Sequence, residues 1–397
     1  MSCNQETYKR LGDYIREVNN RNSDLSVTNL MGININKYFM PSVANIIGTD
    51  LSNYKVVSKN QFACNLMHVG RDAKIPVALN QGEDIIVSPA YFVFEVDNTG
   101  IIPEYLQLVF TRSEFDRNAW FHTDSDVRGG MDKDGLRDLL IPIPELAEQQ
   151  RIVDQYNAIQ TRIENNKQTI AKLEETAQAI YRKMFVDDID PENLPDGWNV
   201  EIISSIIEST LGGDWGKELP EGNYTEKVSC IRGADINAMK VCDTTNAPIR
   251  YILKKNLESR QLLENNIVIE MSGGTPTQST GRCSIAMSPI IFSCENPMIC
   301  SNFCKVIRAK KGFELLLFVA LEHFYSLGTF FKYENSSNGI QNLDLESFCN
   351  EENIIVPDEQ TLSTFNFQIK KLIEHKLNIG KELTILRDAL SQILTHL

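Results

Sequence analysis

A chain of 397 residues with 42% hydrophobic and 23% charged residues has room for two or three folded domains, which excludes a single small module and a largely disordered, collagen-like or disulfide-scaffold protein. Thirty-nine Lys and Arg against fifty-three Asp and Glu leave a net charge of −14, which argues against a protein that holds DNA alone by bulk electrostatics. The charged opening MSCNQETYKRLGDYIREVNN offers no signal-peptide core, no stretch reaches the ~18 apolar residues of a membrane span, and nine scattered cysteines form no disulfide framework. The expectation is a cytoplasmic protein with reduced thiols and no membrane partner.

In chain order, the first segment holds a strand at 56–64, a polar stretch with Asn65, His68, Arg71 and Lys74, a strand at 90–96, and an amphipathic helix at 103–110. A polar loop containing Ser125 and Arg128 follows, then Ile141-Pro142-Ile143-Pro144-Glu145 and a long helical pattern. Its apolar seam steps by four and three through Ile152, Tyr156, Ile159, Ile163, Asn166, Ile170, Leu173, Ala177, Ile180 and Met184. Acidic residues, two prolines and a glycine at 187–198 end that helix in a linker.

The pattern then repeats. Ile354-Ile355-Val356-Pro357-Asp358 stands 213 residues after the first such run. At the same shift the seam recurs as Phe365, Ile369, Leu372, Lys376, Ile379, Leu383, Leu386, Leu390, Ile393 and Leu397. Residues 262–270 match 56–64, 302–308 match 90–96, and 314–321 match the amphipathic helix. Two equal helices separated by a folded segment are expected to pair as an antiparallel coiled coil. The polar seam residues Asn166 and Lys376 either set its register or sit near solvent or a partner.

No Walker-type loop, zinc-ligand spacing, HExxH pair or nucleophile elbow is present, and Asn296-Pro297-Met298-Ile299 lacks the second proline and aromatic of an amino-methyltransferase signature. Cys294, Cys300 and Cys304 read as small hydrophobes rather than ligands. No catalytic residue and no metal site is expected.

Leu139-Leu140-Ile141-Pro142-Ile143-Pro144-Glu145-Leu146-Ala147-Glu148-Gln149-Gln150-Arg151-Ile152-Val153 resembles the signature of the specificity subunits of type I restriction-modification systems. Leu194-Pro195-Asp196-Gly197-Trp198 and Leu11-Gly12-Asp13-Tyr14-Ile15 resemble the openings of that family's two target-recognition domains, and Ile267 to Gly274 followed by Gly281-Arg282 is similar to its strand and glycine-containing loop. The second copy of the signature departs from the pattern after Pro357, and Gly129-Gly130-Met131 and Asn338-Gly339-Ile340 keep only part of the family's loop.

The resemblance implies an α+β chain of target-recognition domain 1 at 1–140, helical region at 141–190, target-recognition domain 2 at 191–343 and helical region at 344–397. It implies a non-catalytic subunit that binds double-stranded DNA with two modification subunits, which carry S-adenosylmethionine, and with restriction subunits that use ATP and Mg. Base edges are read by polar side chains on loops, which points to Asn65, His68, Arg71, Lys74, Ser125 and Arg128 in the first half. The second half offers Ser272, Thr275, Thr277, Gln278, Arg282, Ser336 and Asn338. A coiled-coil scaffold without a DNA role and a self-contained DNA methyltransferase or nuclease stay open; the first leaves the repeated mixed segments unexplained, and the second needs a cofactor site absent from the motifs.

Overall fold

The computed structural model describes residues 8–43, 48–67, 69–97, 100–123, 130–337 and 339–397. The chain is α+β and divides into two compact units, residues 1–162 with 387–397, and residues 163–386. Among the described residues no helix is long and apolar enough to cross a membrane.

In the first unit a four-stranded antiparallel sheet runs in the order Ile15–Glu17, Phe92–Val96, Gln61–Cys64, Val77–Leu79. Its core is aromatic. Phe62 stacks on Phe94 at 5.0 Å, and Phe110 from the helix Pro103–Thr111 meets both edge-on at 5.5 and 6.2 Å. Pro103 opens that helix where its missing N–H costs nothing. Strand Tyr8–Arg10 pairs with Leu140–Pro142, so the start of the unit is stitched to the IPIP run just before the first long helix, Leu146–Phe185.

In the second unit the four-stranded antiparallel sheet runs Ile207–Gly212, Cys304–Ala309, Asn266–Glu270, Cys283–Ala286. The helix Glu314–Ser326 is apolar nearly all round and is buried against it. A second sheet, Ile249–Leu253, Tyr224–Ile231 and Met298–Cys300, lies beside this core. Strand Asn199–Ile202 pairs with Asn353–Val356 immediately ahead of the second long helix, Glu359–His396.

The structure corrects several expectations. The segment 56–64 is two strands, Lys55–Val57 and Gln61–Cys64, broken at Asn60, and in 262–270 only Asn266–Glu270 is extended. Asn60 and Asn265 both have φ of +66°, the left-handed turn that asparagine tolerates, and each donates its N–H across the sheet at 2.7 Å, to Asn80 and Ala286. The copies therefore align Asn60 with Asn265, one residue away from the sequence match. Ser336 lies on a strand, Glu334–Ser337, hairpin-paired with Ile340–Leu343, rather than in a loop.

All twenty predicted seam positions of the long helices are buried or half-buried. Within the second unit the helices meet in opposite sense: Phe185 packs on Phe365 at 5.1 Å and Glu174 pairs with Lys376 at 3.1 Å. Within the first unit Ile152 and Ile159 share a cleft with Ile393 and Leu397. Asn166 and Lys376 do not face solvent; both are buried, Asn166 with its amide nitrogen unpartnered among the described residues.

Candidate nucleic-acid interface

In the second unit a cleft of about 640 Å³ opens at the end of the strand Asn266–Glu270. Its floor is an ion pair. Glu270, 3% exposed, accepts from Arg282 Nε at 2.8 Å and Nη2 at 2.6 Å. Room for that carboxylate comes from two glycines: a Cβ at Gly233 or Gly273 would lie 2.5 or 2.7 Å from Glu270 Oε1. The doubly bonded carboxylate keeps the Arg282 guanidinium charged and fixed in place.

The walls combine aromatic and polar groups. Trp215, 36% exposed, carries the Arg250 guanidinium 4.1 Å from its ring centroid, and its carbonyl accepts from Arg250 Nε at 3.0 Å. Phe303, 57% exposed, faces the cleft with Asn302 and Ser301. Arg232 is held by Asp235 through Nε and Nη2, both at 2.8 Å, and Nη2 also reaches the Asn246 carbonyl at 3.0 Å.

Of the residues expected here, Ser272, Thr275, Gln278 and Arg282 line the cleft together. Ser272 sits on a two-residue strand and donates to Asn342 Oδ1 at 2.6 Å. Thr275 and Gln278 close a tight turn through paired backbone bonds of 2.7 and 3.2 Å. Thr277 is exposed at the tip of that turn and does not line the cleft, and Ser336 is exposed on its hairpin strand. Trp215, Arg232, Asn302 and Phe303 were not anticipated. The tryptophan within the glycine-rich run Gly212-Gly213-Asp214-Trp215-Gly216 is the signal that the sequence offers for the first of them.

In the first unit, Asn65 is half-buried and its Oδ1 accepts from the Met67 N–H at 3.1 Å. Arg71 is not on a loop: it lies in the helical turn Val69–Asp72, exposed and paired to its neighbour Asp72 at 2.7 and 2.9 Å. Lys74 is exposed just beyond. His68, Ser125, Arg128 and Asn338 lie outside the described residues. Nearby, Lys37 is buried on Asp116 at 2.7 Å, which ties the hairpin of Met31–Ile33 and Phe39–Pro41 to the helix Ser113–Phe121; burial lowers the Lys37 pKa.

Buried Cys230 and Cys304 are pushed up to about 12 by desolvation, and so stay protonated thiols at neutral pH. Cys300 is likewise buried on a strand, whereas Cys294 is half-buried in a turn rather than on a strand. Among the described residues no group of three or more His, Cys, Asp or Glu is placed to hold a metal.

No family model matches the chain. Among curated proteins, it is 25% identical over 344 residues to the type I restriction enzyme MjaIX specificity subunit of Methanocaldococcus jannaschii, covering 80% of this chain and 72% of that protein. It is also 25% identical over 230 residues to the type I restriction enzyme HindI specificity subunit of Haemophilus influenzae, covering 54% and 49%. Its fold is similar to the crystal structure of the type I restriction-modification S subunit from M. genitalium, with a TM-score of 0.57 at 15% identity over 99% of this chain and 97% of that one. With the IPIP signature ahead of its first long helix and a fold like that of a solved S subunit, the chain is a homologue of the specificity subunits of type I restriction-modification systems.

Proposed function

We propose that this chain is the DNA sequence-specificity subunit of a type I restriction-modification complex, in which residues 1–140 and 191–343 each read one half of a bipartite double-stranded target. The observation that carries this reading is the recurrence, ahead of each long helix, of the same order of four antiparallel strands closed by a strand pair on the I-P or I-V run. Two like readers in one chain suit a target in two parts.

In this reading the helical regions, 141–190 and 344–397, pair as an antiparallel coiled coil, set the spacing between the half-sites and dock two modification subunits. Seam burial, the opposite sense of the helix contacts within the second unit, and the cleft that both helices line within the first unit support the pairing. The chain itself is non-catalytic. S-adenosylmethionine belongs to the modification subunits, and ATP with Mg to the restriction subunits. An acidic chain is compatible with this role, because partners can neutralise phosphates while this subunit supplies base contacts.

The test is a gel-shift titration of specific and random duplexes with the chain alone and with its modification subunits, paired with native mass spectrometry. Sequence-dependent binding by a complex with two modification subunits is expected. A saturated 1:1 complex contradicts the stoichiometry, and binding without sequence preference contradicts the function.

A further inference from the structure

We propose that Arg282 reads a guanine in the half-site of the second unit through a guanidinium edge that Glu270 leaves free, with Glu270 as its positioning residue. The inference rests on the proposed DNA-reading function and names what the cleft reads.

A guanidinium has two edges that can make paired hydrogen bonds. One carries Nε and Nη2, the other Nη1 and Nη2. In Arg282 the first edge is taken by Glu270, at 2.8 and 2.6 Å, and the second has no partner among the described residues. The other arginine lining the cleft, Arg232, and Arg250 behind its Trp215 wall differ. Arg232 Nη2 donates to both Asp235 and Asn246, so neither edge is complete. Arg250 is spent on Trp215 and Glu218, with its side chain buried.

Arg282 is therefore the cleft arginine that retains an intact two-donor edge. Guanine O6 and N7 form the matching acceptor pair of the major groove, and Arg on guanine is the commonest specific contact there. Glu270 supports this by geometry. Anchored at a strand end beneath Gly233 and Gly273, it holds the guanidinium in one plane, so the edge is oriented before DNA arrives.

Once methylation mapping has given the target, the complex of the wild-type chain with its modification subunits is titrated with duplexes in which each guanine is replaced singly by 7-deazaguanine, which lacks the N7 acceptor. One position should weaken binding about tenfold, a share of the range for one bidentate pair. Arg282→Lys, which keeps the charge and loses the fork, should erase the difference between guanine and 7-deazaguanine at that position alone. Glu270→Gln should shrink the same difference with the salt dependence unchanged, which a general folding defect would not do. The inference is overturned if no guanine position responds, or if Arg282→Lys weakens all duplexes equally, as a phosphate contact would. Equal binding of unmodified target and random duplex overturns the functional reading itself, a result distinct from both.

Discussion

The indole of Trp198 donates to Asp358 Oδ2 at 2.9 Å, joining the first residues of the second repeat to the first turn of the second long helix. Asp358 also accepts from the Thr361 N–H at 3.0 Å and from its hydroxyl at 2.6 Å, so it is a helix cap as well as a tether. This explains a departure in the repeat. Where the first copy has Pro144-Glu145, the second has a capping aspartate after its proline.

Those bonds, the Thr361 hydroxyl foremost, hold the Asp358 carboxyl at about 2, below the usual 3.8. A depressed folded-state pKa contributes stability above about pH 4 that is lost as pH falls through about 2. Asp358→Ala should lower the melting temperature at pH 5, and the gap to wild type should close in thermal scans taken toward pH 2. An unchanged gap across that window would mean that the charge is not what Asp358 contributes.

Gln149 is fully buried in the first turn of the first long helix and accepts from the Ile102 N–H at 2.8 Å. Its amide donates to the carbonyls of Gly100 and Pro144 at 2.7 and 2.8 Å. The equivalent residue 213 positions on is Leu362, also buried, so one copy locks this corner with hydrogen bonds and the other with apolar contact. Gln149→Leu should not transplant the second solution, because three part-buried backbone groups lose their partner. Denaturant unfolding should show a loss on the order of 2–3 kcal/mol; a neutral result would contradict the bonded corner.

Lys376 is a buried ammonium whose partner Glu174 is 45% exposed. Replacing the lysine by an apolar residue removes a desolvation cost, whereas removing the carboxylate strands a buried charge. Lys376→Met is expected to leave stability unchanged or higher. Glu174→Ala should cost roughly 1–2 kcal/mol, reduced by the solvent access of that carboxylate. Equal losses from both would mean that the pair contributes net attraction.

Much of the fold was legible because it is written twice. The heptad steps, the IPIP run and the strand-helix order need only hydrophobic period, and that period survives divergence between the copies. Register was less legible: aligning apolar runs gave an offset of one, since only the positive φ of Asn60 and Asn265 marks the true match. The cleft was half legible. Ser272 to Arg282 follow a strand in sequence, but Trp215, Arg232 and Phe303 arrive from loops at the ends of other strands, and no local pattern brings them together.

Each long helix spans roughly 60 Å at about 1.5 Å per residue, and the proposed function makes that length the spacer of the target. Inserting seven residues at matched points of both helices keeps the seam in phase and adds about 10 Å, roughly three base pairs. Methylation mapping should then find both half-sites unchanged and the gap longer. Efficient methylation at the original spacing would mean that the helices do not measure it.

Single-molecule sequencing of methylated bases, in DNA from cells carrying this chain with its modification subunits, tests the specificity role most directly. The predicted result is one split motif that appears only with this chain, and that changes in one half alone when Arg282 or Arg71 is replaced. Methylation of the same motif without the chain, or of a motif whose two halves respond together to either substitution, would contradict it.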